Sequence, residues 1–246
     1  MLQKTFIHIP GFGENKEKFL WNNNINSWDD FLDNYKTISL PESTKFNLKC
    51  SIIKSKENLE NNNHSYFSEN LPISQHWRAY KTFDKVCFLD IETTGLSKQR
   101  NKITTIGMYD GKESKVFIRH QNMDEFPEEL AKYSTIISFN GRRFDIPFIK
   151  EKFPGIKIDH FHIDLCFLMR ELGYTGGLKR IEKEIGIARG DDIEGVDGYE
   201  AVKLWYRYRK GDEEALKKLV AYNIADVENL QVMMDFAYEK KLNSIE

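Results

Sequence analysis

From residue 86 onward the chain alternates short apolar runs with longer stretches in which apolar residues recur every three or four positions. The first pattern suits strands buried in a sheet, and the second suits amphipathic helices packed against it. The runs predict strands over residues 86–89, 103–109, 115–120, 135–139 and 156–163, with Asp110-Gly111 turning a hairpin between the second and third. Helices are predicted over 124–132, over 145–152 with Pro147 in the first turn, and over 165–172, 178–185, 199–209 and 212–240. In the last helix Leu216, Leu219, Val220, Val227, Leu230 and Met234 form an apolar stripe, with Tyr222 and Asp226 at its edge. The pattern is mixed α/β.

Residues 1–80 have another texture, and a boundary near 80 separates them from a domain over 81–246. Ile9-Pro10-Gly11-Phe12-Gly13 is a turn signal; Phe19, Leu20 and Trp21 precede a break at the asparagines, and Trp28, Phe31 and Leu32 follow at helical spacing. Two short helices around a glycine turn are predicted. They resemble a degenerate helix-hairpin-helix, whose turn amides could meet a phosphate, with a small packing module as the equal alternative.

At 246 residues and 40% hydrophobic content, the chain holds one sizeable domain and a small appendage. Residues 1–80 carry nine Lys and Arg against nine Asp and Glu, and the remainder 27 against 29. Neither part has the basic excess of a protein that coats nucleic acid, so any such contact must be local. Cys50, Cys87 and Cys166 lack metal-ligand spacing and are expected to be reduced, buried, small apolar residues. With no leader pattern and no apolar stretch approaching a membrane span, a cytoplasmic protein is expected.

The chemistry lies in three acidic clusters: Asp90-Ile91-Glu92, Asp145 within 139–145, and Tyr222-Asn223-Ile224-Ala225-Asp226. Asp90 and Glu92, two apart in an extended segment, share one face and can reach one cation. Tyr222 and Asp226, four apart on a helix, share a face one turn apart. Several carboxylates converging from different elements are what two divalent ions acting on a phosphodiester require, and hard cations such as Mg²⁺ favour such an oxygen-rich shell.

The ordered set Asp90/Glu92, Asn140 with Phe144-Asp145, and Tyr222/Asp226 resembles the three exonuclease motifs of the ribonuclease-H-like superfamily, in the tyrosine subclass of DEDD 3′-to-5′ exonucleases. The stretches 89–96, 138–141 and 221–226 are similar to the YprB-like predicted exonucleases, a resemblance running from about 86 to 238. It implies a mixed five-stranded sheet flanked by helices and two Mg²⁺ or Mn²⁺ ions held by Asp90, Glu92, Asp145 and Asp226. Tyr222 would position the attacking water. The implied substrate is the 3′ end of single-stranded DNA or RNA, DNA favoured, released as nucleoside 5′-monophosphates. An exoribonuclease, a structure-directed endonuclease and a non-catalytic nucleic-acid-binding protein of the same fold are the alternatives.

Thr93, Gly95 and Leu96 are candidates for holding the terminal nucleotide, Gly95 by close backbone approach and Leu96 as a wedge, though Gly95 also fits a plain turn. Asn140 would hold substrate or cap the next helix, and Arg142 and Arg143 would meet phosphates or start that helix in solvent. The run 205–210 interleaves aromatics and cations, but Val202, Trp205 and Tyr206 fit a buried stripe better. His160 and His162 are read as structural, Asp164 as supporting or capping, and Asp191, Asp192 and Glu194 as a solvated turn.

Overall fold

The computed structural model describes residues 1–190, 193 and 195–245. The acidic turn expected at Asp191, Asp192 and Glu194 lies outside the described residues. The described residues divide into two compact units, those within 1–84 and 159–161 and those within 85–158 and 162–245.

The second unit is built on β1 (Val86–Thr93), whose VCFLDIET sequence is mostly buried and carries Asp90 and Glu92 within the strand. β1 pairs antiparallel with β2 (Ile103–Tyr109), which pairs antiparallel with β3 (Ser114–Ile118). On its other side, residues 86–88 of β1 pair in parallel with β4 (Thr135–Ser138). With β5 (Phe161–Asp164) these form a five-stranded mixed sheet in the order β3-β2-β1-β4-β5. The Asp110 carboxylate accepts from the amides of Lys112 and Glu113, closing the β2–β3 hairpin as its Asp-Gly sequence predicts. The fifth strand is shorter than expected: residues 156–160 are apolar in pattern but not extended in a ladder.

Helices flank this sheet: α5 (Phe126–Leu130), α6 (Asp145–Lys152), α7 (Leu165–Glu171), α8 (Leu178–Glu184), α9 (Gly198–Tyr208) and α10 (Glu213–Asn243). The helix expected over 124–132 is instead a 3-10 turn, Met123–Glu125, running into α5. α10 lies against β1, β2 and β3. Its buried face differs from the expected stripe: Leu216 and Val220 are half-buried, and Tyr222, Asn223 and Asp226 sit within the face rather than at its margin. The polar groups of the site are therefore folded into the core, which requires each to find a partner. On α9 the stripe is Ala201, Leu204 and Trp205, while Tyr206 is exposed.

The first unit contains α1 (Glu14–Asn22), α2 (Trp28–Asn34), α3 (Glu42–Glu60) and α4 (His64–Asn70) around a core that includes Phe6, Trp28, Phe31, Leu48 and Phe67. Both expected helices follow the glycines instead of flanking them: Gly13 is the N-cap of α1, and the segment before Gly11 holds a 3-10 turn, Leu2–Lys4. A helix-hairpin-helix turn therefore lacks its first α-helix here. Glu17, in the first turn of α1, is a buried organiser that accepts from Thr5 Oγ1 at 2.6 Å and the Phe6 amide at 2.7 Å and pairs with Arg78 at 3.0 Å. Cys50 is exposed, against expectation, while Cys87 is buried.

Candidate metal centre

Alternation along β1 sends Asp90 and Glu92 to the same face, towards α10, which delivers Asp226. One carboxylate oxygen of each can be chosen so that all three lie within 4.8 Å of one another. A β-bulge between Glu92 and Thr93 shifts the register, Glu92 facing Thr105 and Thr93 facing Ile103. Bulges re-aim side chains at the end of a pairing, which is where this cluster sits.

Asp90 lies opposite Gly107 on β2, and a methyl group at Gly107 would stand 2.9 Å from the Asn223 side chain. The missing side chain leaves room for Asn223 Nδ2 to donate to Asp90 Oδ2 at 2.9 Å. Asn223 is fully buried one residue after Tyr222, and its polar type inside an apolar helix face was the available signal.

Asp145 enters from the first turn of α6, 3% exposed. The backbone amides of Asp145 itself and Ile91 hydrogen-bond its carboxylate, while Oδ1 is buried without a partner among the described residues. It stands outside the tight trio but close enough for its charge to act on Asp90 and Glu92.

Burial and then the charges of Asp226 and Asp145 push the Asp90 and Glu92 carboxyls well above their usual range. Burial likewise pushes Asp145 up to about 7. Asp226 is raised by burial, with Arg189 pulling it back. Burial, with Asp226 next, raises the Tyr222 phenol, so it keeps its proton at neutral pH. Confined carboxylates that resist ionisation together are the electrostatic complement of a small multivalent cation. Their all-oxygen donor set and the unpartnered Asp145 Oδ1 fit Mg²⁺ or Mn²⁺.

A family model described as the RNase H superfamily matches residues 87–238. This chain belongs to the RNase H superfamily. An uncharacterised protein of Methanocaldococcus jannaschii is 30% identical over 159 residues, covering 57% of this chain and 88% of that protein. Among solved structures, the family B DNA polymerase of Pyrobaculum calidifontis is similar with a TM-score of 0.48 and 17% identity, over 64% of this chain and 24% of the polymerase. Escherichia coli RNase D, an exoribonuclease involved in structured RNA processing, gives 0.48 and 16%, over 70% of this chain and 43% of that one. The chain thus spans about a quarter of the polymerase and under half of RNase D.

Around the carboxylates of this RNase H superfamily domain, the other expected residues divide. Thr93 Oγ1 donates to the Gly95 carbonyl at 2.7 Å, and Gly95 has φ of 152° with the Asn101 side chain 2.8 Å from where a methyl would sit. Its glycine is required by the loop itself, in keeping with the turn reading. Leu96 is 86% exposed at the tip. Asn140 adopts a left-handed φ of 61° and is not a helix cap, because α6 begins five residues later after Phe144. Asp164 clamps that turn, accepting from the amides of Asn140 at 2.8 Å and Arg142 at 3.1 Å while capping α7 through the Cys166 amide. The Arg142 guanidinium donates to the His162 carbonyl, and Arg143 lies over the Phe167 ring, so both are tied to the scaffold. His162 bonds Ser138 Oγ at 2.8 Å, a structural contact as expected.

Sequence reasoning missed Lys179, Glu182 and Arg189. Arg189 NH2 reaches Asp226 Oδ1 at 2.5 Å and Glu182 Oε1 at 2.7 Å, and Nε reaches Glu182 Oε2 at 2.8 Å. No short-range pattern links residues so far apart in the chain.

Proposed function

We propose that this protein is a 3′-to-5′ exonuclease of the DEDD tyrosine subclass, YprB-like, hydrolysing single-stranded nucleic acid, DNA in preference, to nucleoside 5′-monophosphates in the cytoplasm. The observation that carries the reading is the meeting of Asp90, Glu92 and Asp226 within 4.8 Å, with Tyr222 one helical turn before Asp226. Residues 81–246 would form the catalytic domain, and residues 1–80 an accessory helical module.

Asp90, Glu92, Asp226 and Asp145 would hold two Mg²⁺ or Mn²⁺ ions, which when bound would acidify the attacking water and neutralise charge at the departing 3′ oxygen. The protein's own groups set the conditions. Asn223 fixes the Asp90 carboxylate at 2.9 Å, so one of the residues that would hold an ion is oriented beforehand. Tyr222, 5% exposed and protonated, offers an O–H that orients water without adding negative charge. Leu96 is free to lie against the terminal base, and the Thr93–Gly95 turn sets its position.

The test is incubation of 5′-labelled and 3′-labelled single strands of DNA and RNA with Mg²⁺ or Mn²⁺. A ladder shortening from the 3′ end, faster on DNA, supports the reading. Internal cuts only, or intact strands, would reject it, and faster loss of RNA would reassign the substrate.

A further inference from the structure

Lys179, near the start of α8, and Arg189, in the segment after it, both lie over one aromatic ring. Lys179 Nζ is 4.6 Å and Arg189 Cζ 5.5 Å from the centroid of Tyr222. Two like charges over one ring repel each other; burial, and then the charge of Arg189, hold the Lys179 ammonium below the usual lysine range. Each also has a donor to spare: among the described residues, Lys179 Nζ and Arg189 NH1 are buried atoms with no hydrogen-bond partner.

Arg189 cannot turn away to relieve this. Its Nε and NH2 grip Glu182, which is 1% exposed and also accepts from Asn229 Nδ2 at 3.0 Å. The same NH2 reaches Asp226 Oδ1. Asp197, whose charge also acts on Lys179, spends a carboxylate oxygen capping α9 through the Glu200 amide. A fixed guanidinium with one free corner, beside a desolvated ammonium, matches the oxygens of an anion. Both cations also act on Glu92 and Asp226, so the anion would lie next to the carboxylates.

Resting on the nuclease reading, we propose that Lys179 Nζ and Arg189 NH1 form a phosphate subsite above Tyr222, taking a non-bridging oxygen of the nucleotide phosphate to be cleaved. A cluster of carboxylates repels a phosphodiester, and these two cations supply countercharge that belongs to the protein. Glu182 and the Tyr222 ring hold them in place before substrate arrives.

The test uses the full chain with Ca²⁺ as the metal and three probes in calorimetric titrations: inorganic phosphate, a nucleoside 5′-monophosphate and a single-stranded oligonucleotide. Lys179→Met is the decisive variant, because its ammonium has no hydrogen-bond partner among the described residues to lose. It is expected to melt at or above the wild-type temperature while binding the monophosphate at least tenfold more weakly. The salt slope for the oligonucleotide should fall by about one. Arg189→Lys, which keeps the charge but not the fork, should weaken binding too. Inorganic phosphate bound as well as the monophosphate would assign the subsite to free phosphate and overturn its nucleotide role. Unchanged affinity in Lys179→Met, or a loss that tracks a lower melting temperature, would overturn the subsite. If wild-type protein shortens oligonucleotides but binds no monophosphate, the subsite falls and the nuclease reading stands. If binding weakens as expected but no strand is ever cleaved, the nuclease reading falls and the two cations remain a nucleotide-phosphate site only, which overturns their placement at a phosphate to be cleaved.

Discussion

Replacing Asp90 by Asn should make the metal-free protein more stable while removing its activity. Asp90, Glu92 and Asp226 present oxygens within 4.8 Å of one another. At that separation two ionised carboxylates repel by about 3.5 kcal/mol at an effective dielectric of ~20. The folded protein escapes part of this by retaining protons, which the raised carboxyl pKa values express. A net gain of about 2 kcal/mol is therefore expected, or roughly 4–8 °C in melting temperature for a chain of this size. Asparagine keeps the shape, and its Oδ1 can still accept from Asn223 Nδ2, so no packing or hydrogen bond is lost. Scanning calorimetry in EDTA at pH 8 reads the gain. Adding Mn²⁺ should reverse the order: wild type gains about 2.7 kcal/mol for each bound ion at a hundredfold excess over its dissociation constant, and the variant gains little. A variant that melts below wild type in EDTA would refute the argument that these carboxylates are held together against their repulsion.

Other expectations follow from the same geometry. Because folding raises the acidic pKa values, the folded metal-free protein holds protons that the unfolded chain has released; that stability is present below about pH 4 and is lost as pH rises through about 7, the value for Asp145. For Asp145 alone the loss is roughly 4 kcal/mol. Buried His8, pushed down to about 4, adds an opposite slope up to about 6.5, which cancels when melting temperatures in Mn²⁺ and in EDTA are subtracted at each pH. The difference should widen from pH 5 to 8, and a constant difference would contradict it. Tyr222→Phe should lower kcat by about tenfold to a hundredfold while Mn²⁺ affinity changes less than about twofold, since it removes a hydroxyl and no ligand charge; a larger fall in affinity than in kcat would count against it. Asp164→Ala removes the acceptor of three backbone amides, costing about 2–4 kcal/mol and displacing Asp145 through the 140–144 turn; an unchanged melting temperature would show that the clamp is idle.

Much of this site could be read from spacing. Alternation put Asp90 and Glu92 on one face of a strand, and a four-residue interval put Tyr222 and Asp226 on one face of a helix. Asp145 was singled out as the third acidic position, but no spacing placed it against the others; its role came from the resemblance of its motif. What stayed hidden depended on register and on long-range pairing: Asn223 meets Asp90 because Gly107 stands opposite, and Arg189 meets Asp226 from 37 residues away. α3 was missed because its buried positions, Lys45, Leu48, Ile52 and Ser55, are half polar, which blurs the helical period. The coil at 156–160 deceived for the opposite reason, its alternating apolar residues imitating a strand.

Electron paramagnetic resonance of Mn²⁺ titrated into the metal-free protein tests the proposed site for two divalent ions most directly. Wild type should bind two spin-coupled ions, Asp145→Asn should keep one, and Asp90→Asn should lose both. Stoichiometric binding that survives Asp90→Asn, or no binding by wild type, would contradict the claim.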